Sequence, residues 1–242
     1  MSGFGILNLM QTGFDVNLKG VRDRIAAAAN RAGRDPMDIK LVAVSKTHSA
    51  NAIRQAISAG ISTFGENKVQ EAEAKIAELG RDAAEWRLIG HLQSNKARKA
   101  VQLFNVIESL DSVDLAKRLE RICIKDGRSE LPVLVEVDLA GEVTKSGIPE
   151  TELSELVRML KHCVCLRFAG LMVLPPFSDD PEGSRPYFQR LRKLRDGLQK
   201  DGAFGSGNGE LSMGMSHDFE VAIEEGATVV RIGTAIFGNR AA

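Results

Sequence analysis

Short apolar runs alternate with longer amphipathic segments along most of the chain. The apolar runs predict eight β-strands, at residues 39–44, 61–64, 86–89, 104–107, 133–137, 166–171, 210–213 and 228–232. The segments between them carry apolar residues at helical spacing. Ser49 and Gly60 stand where helix caps are favoured, and Pro149 stands where a first helical residue is favoured. This repeated alternation of strand and helix predicts a parallel sheet.

An open doubly wound sheet and a closed barrel both fit this alternation. Eight strand–helix units in 242 residues favour the barrel, because (β/α)8 barrels commonly have about 250 residues. We therefore predict an α/β fold, a single (β/α)8 TIM barrel that occupies residues 1–242. Residues 1–36 are expected to form a helical segment that leads into the barrel.

Composition excludes several functional classes. Lys plus Arg and Asp plus Glu both number 32, so no net charge attracts nucleic acid or an anionic membrane. No apolar run approaches the roughly 18 residues of a membrane span. The first ten residues lack the pattern of a signal peptide, and the three cysteines lack zinc-binding spacing. We expect no metal, no nucleic acid or membrane partner, and a cytoplasmic location.

Distinctive polar residues follow several of the predicted strands. In a parallel barrel, the loops after the strands form one rim, and the chemistry of such barrels lies there. Lys46 follows the first strand directly. A partly desolvated amine at that position loses its proton more readily and can form a Schiff base. A lysine whose stem packs at the strand end while its amine reaches solvent is the simpler alternative.

The loops after the last two predicted strands have the composition of an anion site. Residues 212–216 read SMGMS and residues 231–234 read RIGT. Hydroxyl groups, glycines and backbone N–H groups at a helix start suit a phosphate dianion. Ordinary turns and helix caps would explain the same residues. Arg231 lies in an apolar strand and needs a buried partner, which could be a ring nitrogen, a phosphate or a carboxylate.

Together these segments resemble the pyridoxal phosphate homeostasis protein family, also called the proline synthase co-transcribed family. The matching segments are LVAVSKT at 41–47, FGEN at 64–67, IGHLQSNK at 89–96, GLM at 170–172, SMGMS at 212–216, DFE at 218–220 and VRIGTAIFG at 230–238. The family is similar in fold to the N-terminal domain of bacterial alanine racemase. One position departs from the pattern, since Arg87 stands where the family often has a histidine.

The resemblance implies that pyridoxal 5′-phosphate (PLP) is bound as an imine on Lys46. It also implies a contact between Arg231 and the pyridine nitrogen, and phosphate contacts from the loops after the last two strands. The cofactor-binding residues expected from the resemblance are Lys46, Asn67, His91, Met172, Ser212, Met213, Ser216, Arg231, Gly233 and Thr234.

The resemblance implies that the protein holds or supplies the cofactor and does not catalyse a fast reaction. A guanidinium keeps its proton, so Arg231 can donate a hydrogen bond to the ring nitrogen but cannot protonate it, and the ring stays a weak electron sink. Racemisation also needs an acid or base on each face of the substrate carbon. In the racemase, one of these groups is a tyrosine from a separate β domain. This sequence ends at Ala242, and its single tyrosine, Tyr187, is expected to pack against the barrel.

A PLP-dependent racemase of low activity and a Schiff-base aldolase without PLP are the alternative functions. We expect no catalytic residues, a monomer, and PLP-dependent apo-enzymes as recipients of the cofactor. Lys145, in the loop after the fifth strand, is a weaker candidate for cofactor contact. No functional role is expected for Cys163, Cys165 or His217.

Overall fold

The computed structural model describes residues 13–141 and 146–238. Within them, eight parallel strands close into a barrel, which confirms the predicted (β/α)8 TIM barrel fold. The strands of the ring are β1 (Lys40–Val44), β2 (Thr63–Glu66), β3 (Glu85–Leu88), β4 (Val106–Leu110), β5 (Leu131–Asp138), β7 (Leu166–Met172), β8 (Glu210–Ser212) and β9 (Val229–Ile232). A short additional strand, β6 (Ile148–Pro149), pairs with β5.

Helices precede the barrel and connect its strands. They are α1 (Gly13–Arg31), α2 (Ala50–Ser58), α3 (Val69–Leu79), α4 (Ala97–Leu103), α5 (Val113–Asp126), α6 (Glu150–Leu160), α7 (Arg185–Lys200), α8 (Phe219–Glu224) and α9 (Thr234–Phe237). Ser49 caps α2 by accepting the Ala52 N–H, as the sequence predicts. None of the helices that the structure describes combines the length and apolar character of a membrane span.

Several element boundaries differ from the predicted ones. Strand β2 extends beyond the predicted residue 64 to Glu66, because Gly65 pairs with both β1 and β3 and Glu66 pairs with β3. Helix α3 begins at Val69. Pro149 lies one residue before α6 with ψ of 142°, so it ends β6 and is not the first helical residue. The single turn of α9 was not predicted from the sequence.

Two apolar regions stabilise the barrel. The larger one lies between the strands and the surrounding helices. The smaller one lies inside the ring and consists of Val106, Leu134, Ala169 and Met172. Bulky branched residues usually fill the interior of such barrels. Here the apolar cluster occupies only part of the interior, and polar side chains occupy much of the rest.

A chain of charged and hydroxyl groups crosses the interior. Arg87 of β3 contacts Glu108 at 2.9 Å and Glu210 of β8 at 2.8 Å, and because β3 and β8 are not neighbours this contact spans the ring. The Ser212 hydroxyl donates to Glu108 at 2.5 Å. Arg231 donates to the Ser212 hydroxyl oxygen at 2.6 Å. Arg87, the position that departs from the family pattern, therefore links a buried carboxylate to two part-exposed ones at the amino end of the barrel.

Candidate functional site

A cavity of about 510 Å³ opens at the carboxyl ends of the strands. Among the residues predicted from the sequence, it is lined by Lys46, Asn67, Ser216, Arg231, Gly233 and Thr234. The other described residues of the wall are Val44, Ile89, Leu174, Pro175, Pro176, Phe177, Ser178, Ser184, Met215, His217 and Asp218. The structure thus brings the lysine after β1 together with the polar loops that follow β8 and β9.

A larger cavity of about 730 Å³ lies at the opposite end of the barrel. Its charged groups include Lys40 and Glu85, which pair with each other at 3.2 Å. Residues at this end of a parallel barrel generally contribute to stability and not to chemistry. We therefore place the functional site in the smaller cavity.

The loop after β8 presents donors and acceptors to the cavity in a fixed arrangement. The Ser216 hydroxyl oxygen accepts the N–H groups of Gly233 and Ala235 at 3.3 and 3.4 Å. Asp218 accepts the Met215 N–H at 2.7 Å, which holds the turn before Ser216. Because the Ser216 oxygen accepts these two N–H groups, its own O–H is left to donate into the cavity, where it suits an anionic oxygen.

Gly214 is required for the path of the same loop. Its φ is 93°, and a Cβ at this position would lie 2.6 Å from Cβ of Ala222 and 2.9 Å from Cα of Phe219. An L side chain would therefore be both strained and in collision. The loop can pass this close to α8 only with glycine at this position.

Arg231 is held firmly at the base of the cavity. Its two terminal nitrogens donate to the Ser212 hydroxyl oxygen at 2.6 Å and to the Val173 carbonyl oxygen at 2.9 Å. Complete burial lowers the pKa of Arg231, while the carboxylates of Glu108 and Glu136 oppose that change. The buried partner of Arg231 that the sequence predicts is thus the Ser212 hydroxyl group, and the carboxylates of Glu108 and Glu136 lie near enough to interact with the guanidinium.

Glu136 of β5 is a buried carboxyl group near Arg231 that the sequence did not single out. It is 3% exposed, and its side chain makes no hydrogen bond within the described part of the chain. Burial raises the pKa of Glu136 to about 7, although Arg231 lowers it, and Asp111 and Asp138 raise it further. Glu136 therefore changes charge near neutral pH.

Ser212 and Met213 were predicted at the site, but the structure does not bring them to the cavity wall. Ser212 ends β8 and points into the barrel, where its hydroxyl lies between Arg231 and Glu108. Met213 is completely buried in the outer apolar region, because successive side chains of an extended segment face opposite sides. The structure thus gives Ser212 a supporting position under Arg231 and no contact with the cavity.

Met172 and His91 are also not among the described residues of the cavity wall. Met172 belongs to the interior apolar cluster, against which the wall residue Leu174 packs. The His91 ring is half exposed, and its Nδ1 lies 3.0 Å from Asp111. Met172 is therefore part of the barrel interior, and His91 pairs with Asp111 near the surface.

His217 belongs to the cavity wall, whereas Tyr187 and Cys163 lie elsewhere on the barrel. His217, for which no role was expected, lines the cavity, and its Nε2 contacts the Asp179 carbonyl oxygen at 3.1 Å. Tyr187 lies half-buried on α7 and is not among the described residues of the wall. Burial raises the pKa of Cys163 to about 12, which keeps this thiol protonated. Lys145 lies outside the described residues.

Comparison with known proteins agrees with this geometry. Residues 16–241 match the model of the family described as "Alanine racemase, N-terminal domain". The pyridoxal phosphate homeostasis protein of Aquifex aeolicus is 43% identical over 223 residues, which covers 92% of this chain and 96% of that protein. The protein of the same name from Escherichia coli K12 is 43% identical over 237 residues, and this match covers 93% of this chain and 95% of the E. coli protein.

Solved structures show the same relationship. PipY of Synechococcus elongatus PCC7942, solved with PLP bound, is 40% identical with a TM-score of 0.74, and the match covers 90% of this chain and all of PipY. Alanine racemase of Corynebacterium glutamicum is 17% identical with a TM-score of 0.64, so it shares the fold alone, over 92% of this chain and 61% of the racemase. The chain therefore belongs to the pyridoxal phosphate homeostasis protein family, whose fold is that of the alanine racemase N-terminal domain.

Proposed function

We propose that this protein binds PLP as an imine on Lys46 and keeps it available for PLP-dependent apo-enzymes. The observation that carries the proposal is that Lys46, Arg231 and the loop at Ser216 line one cavity. A primary amine, a buried cation and an anion-binding loop are the groups needed to hold an aldehyde, a pyridine ring and a phosphate.

The residues of the cavity fit such a cofactor. Its volume of about 510 Å³ lies within the range of roughly 300–1,000 Å³ typical of small-molecule sites. The Asn67 side-chain oxygen is buried and has no hydrogen-bond partner in the described chain, although Asn67 lines the cavity. Buried polar atoms of this kind are normally satisfied, and a bound ligand would supply a partner.

Each group has a distinct task in this proposal. The Lys46 amine would hold the aldehyde carbon as an imine, with the aldehyde oxygen released as water. Ser216, Gly233 and Thr234 would hold the phosphate, and Arg231 would donate a hydrogen bond to the pyridine nitrogen. Asn67 accepts or donates a hydrogen bond at the edge of the ring. PLP supplies an electron-withdrawing ring to whatever amine is attached.

Relatives support the choice of cofactor. The curated relatives named above are pyridoxal phosphate homeostasis proteins, and PipY was solved with PLP bound. We extend both observations to this chain because the match covers nearly all of it. We also propose that the protein acts as a monomer.

The arrangement favours holding PLP over rapid turnover. Arg231 can donate to the ring nitrogen but does not give up its proton, so the ring withdraws electrons weakly. Tyr187, the only tyrosine of the sequence, is not among the described residues of the cavity wall. Racemisation of alanine faster than about 1 per second would contradict this part of the proposal.

Lysine substitutions at the two ends of β1 test the proposal. Lys46 follows the carboxyl end of β1, and Lys40 begins the same strand at the other end of the barrel. We expect the wild-type protein incubated with PLP to be yellow, Lys46→Ala to lose the imine absorbance, and Lys40→Ala to keep it. A wild-type protein that stays colourless would favour the aldolase alternative, and a Lys46→Ala protein that keeps the imine absorbance would exclude Lys46 as the attachment point.

A further inference from the structure

A cluster of charged residues, two of them buried, lies directly behind the loop that carries Lys46. It consists of Glu66, Glu71 and Lys75, which we call the lysine-loop clamp. Lys75 is only 7% exposed and Glu66 is completely buried. The Lys75 ammonium donates to Glu66 at 2.7 Å and to Glu71 at 2.6 Å. Two carboxylates thus surround one buried cation next to the candidate site.

The clamp binds the backbone on both sides of Lys46. Before it, the Ser45 hydroxyl donates to Glu66 at 2.6 Å, and Lys75 donates to the Ser45 carbonyl oxygen at 2.7 Å. After it, the Thr47 N–H donates to Glu71. The residues that flank the reactive lysine are therefore held by α3 and by the end of β2.

Thr47 shows why such restraint is needed. Its φ is 68°, and it is the only residue other than glycine with a positive φ in the described part of the chain. A β-branched residue rarely adopts this conformation, and such strain persists only where the surrounding structure enforces it. The His48 N–H donates to the Ser45 carbonyl oxygen at 3.1 Å and closes a turn around Lys46 and Thr47. The hydrogen bond from the Thr47 N–H to Glu71 ties this turn to α3.

Lys75 itself is unsuited to bind the cofactor. An ammonium group has three N–H donors, and all three are used by Ser45, Glu66 and Glu71. Burial raises the pKa of Glu66, whereas Lys75 and Ser45 lower it, so each charge in the clamp depends on its neighbours. The clamp is therefore a support for the lysine loop and not a second attachment point.

We propose that Glu71 and Lys75 are positioning residues that hold the Lys46 loop in the conformation from which its amine reaches the aldehyde of PLP. This inference rests on the proposed function, because it concerns how the same lysine becomes competent to form an imine. Imine formation requires the nitrogen to approach the aldehyde carbon along a narrow range of directions. Phosphate and ring binding require no such precision from Lys46.

Glu71 is the residue with which to test the clamp. Lys75→Met would leave two carboxylates without their cation and endangers folding, whereas Glu71 is partly exposed, with 27% of its side chain accessible. Glu71→Ala removes the acceptor for the Thr47 N–H, and Glu71→Gln keeps an oxygen there. Glu73→Ala, which removes an exposed ion pair with Lys99 from the same helix, is the matched control.

Two ligands separate positioning from folding. PLP reports imine formation by its absorbance, and pyridoxine 5′-phosphate, which has an alcohol in place of the aldehyde, reports non-covalent binding. We expect Glu71→Ala to weaken imine formation about tenfold, the effect of one hydrogen bond to a charged group. Glu71→Gln should recover part of that loss, and Glu73→Ala should match the wild type. All variants should bind pyridoxine 5′-phosphate within about twofold of the wild type.

Each outcome has one meaning. If Glu71→Ala forms the imine as well as the wild type does, or if it loses both ligands equally, the positioning role is wrong. If the wild-type protein itself forms no imine on Lys46, the proposed function fails before the clamp is tested.

Discussion

Replacing Arg87 by methionine tests whether the charged chain inside the barrel stabilises the fold. Arg87 is almost completely buried, with 2% of its side chain exposed, and it contacts three carboxylates. Burial alone would lower the pKa of Arg87, but Glu108, Glu210 and Glu85 together raise it above its usual value. The guanidinium is therefore charged, and its removal leaves negative charge behind.

The three carboxylates contribute unequally to the expected loss. Glu85 and Glu210 are 30% and 33% exposed, so water can replace Arg87 there at a cost of about 1 kcal/mol or less for each. Glu108 is fully buried, and breaking a buried pair by removing one partner costs about 3–5 kcal/mol. We expect Arg87→Met to lower the free energy of unfolding by about 3–5 kcal/mol, most of it from Glu108.

Urea unfolding of matched variants measures this loss. Arg167→Met is the control, because it removes an arginine of similar size from an exposed pair with Glu130 and should cost about 0.5 kcal/mol or less. The double variant Arg87→Met/Glu108→Met removes the buried carboxylate that loses Arg87, but it also removes the acceptor of the Ser212 hydroxyl, so it should recover about 1 kcal/mol or more. A loss below about 1 kcal/mol for Arg87→Met, or no recovery in the double variant, would refute the reasoning.

Further predictions concern the site and its support. Glu136→Gln should stabilise the fold by about 3 kcal/mol above pH 7 and hardly at all below pH 4.5, because the native state bears the cost of ionising Glu136 as the pH rises from 4.5 to about 7. Urea unfolding at both extremes checks this, and an equal effect at both would contradict it. Ser216→Ala should weaken binding of pyridoxine 5′-phosphate about tenfold, and unchanged affinity in a titration would remove Ser216 from the phosphate site. Gly214→Ala should lower the free energy of unfolding by about 2 kcal/mol or more, since its Cβ would lie 2.6 Å from Ala222; an unchanged melting temperature would show that the loop can move aside.

The fold was predictable because its signal is periodic. Each strand appears in the sequence as an apolar run and each helix as an amphipathic segment. Eight such strand–helix repeats in a chain of this length are compatible with few architectures other than a closed barrel. Boundaries were less predictable, because pairing with neighbouring strands decides them. Glu66, for example, lies beyond the predicted strand at 61–64, but its pairing with Leu88 of β3 places it in β2.

The candidate site was predicted in part. Lys46, Arg231, Gly233 and Thr234 follow or end strands whose positions the sequence indicates well, and the structure places all of them at the cavity. The sequence does not distinguish the roles of Ser212 and Ser216, because both belong to one short motif. Ser212 points into the barrel because it is the last residue of β8, whereas Ser216 lies in the following loop and lines the cavity. The wall formed by residues 174–177 lies in an irregular segment that has no periodic signal.

The interior network was not predictable from the pattern alone. Side chains that point into the barrel and side chains that pack against the helices are both buried, and they follow one another in the same strand. Burial alone therefore does not show which residues point into the barrel. The sequence therefore gave no sign that Arg87 and Glu108 meet inside the barrel, or that Glu210 reaches them from the opposite side.

The most direct test of the central claim is peptide mapping after borohydride reduction of the PLP-loaded protein. Reduction converts an imine into a stable secondary amine that survives proteolysis, so the modified lysine can be read by mass spectrometry. The proposed function predicts that the added mass lies on the peptide that contains Lys46, and that Lys75 is unmodified. Modification of another lysine with Lys46 intact, or no modification at all, would contradict it.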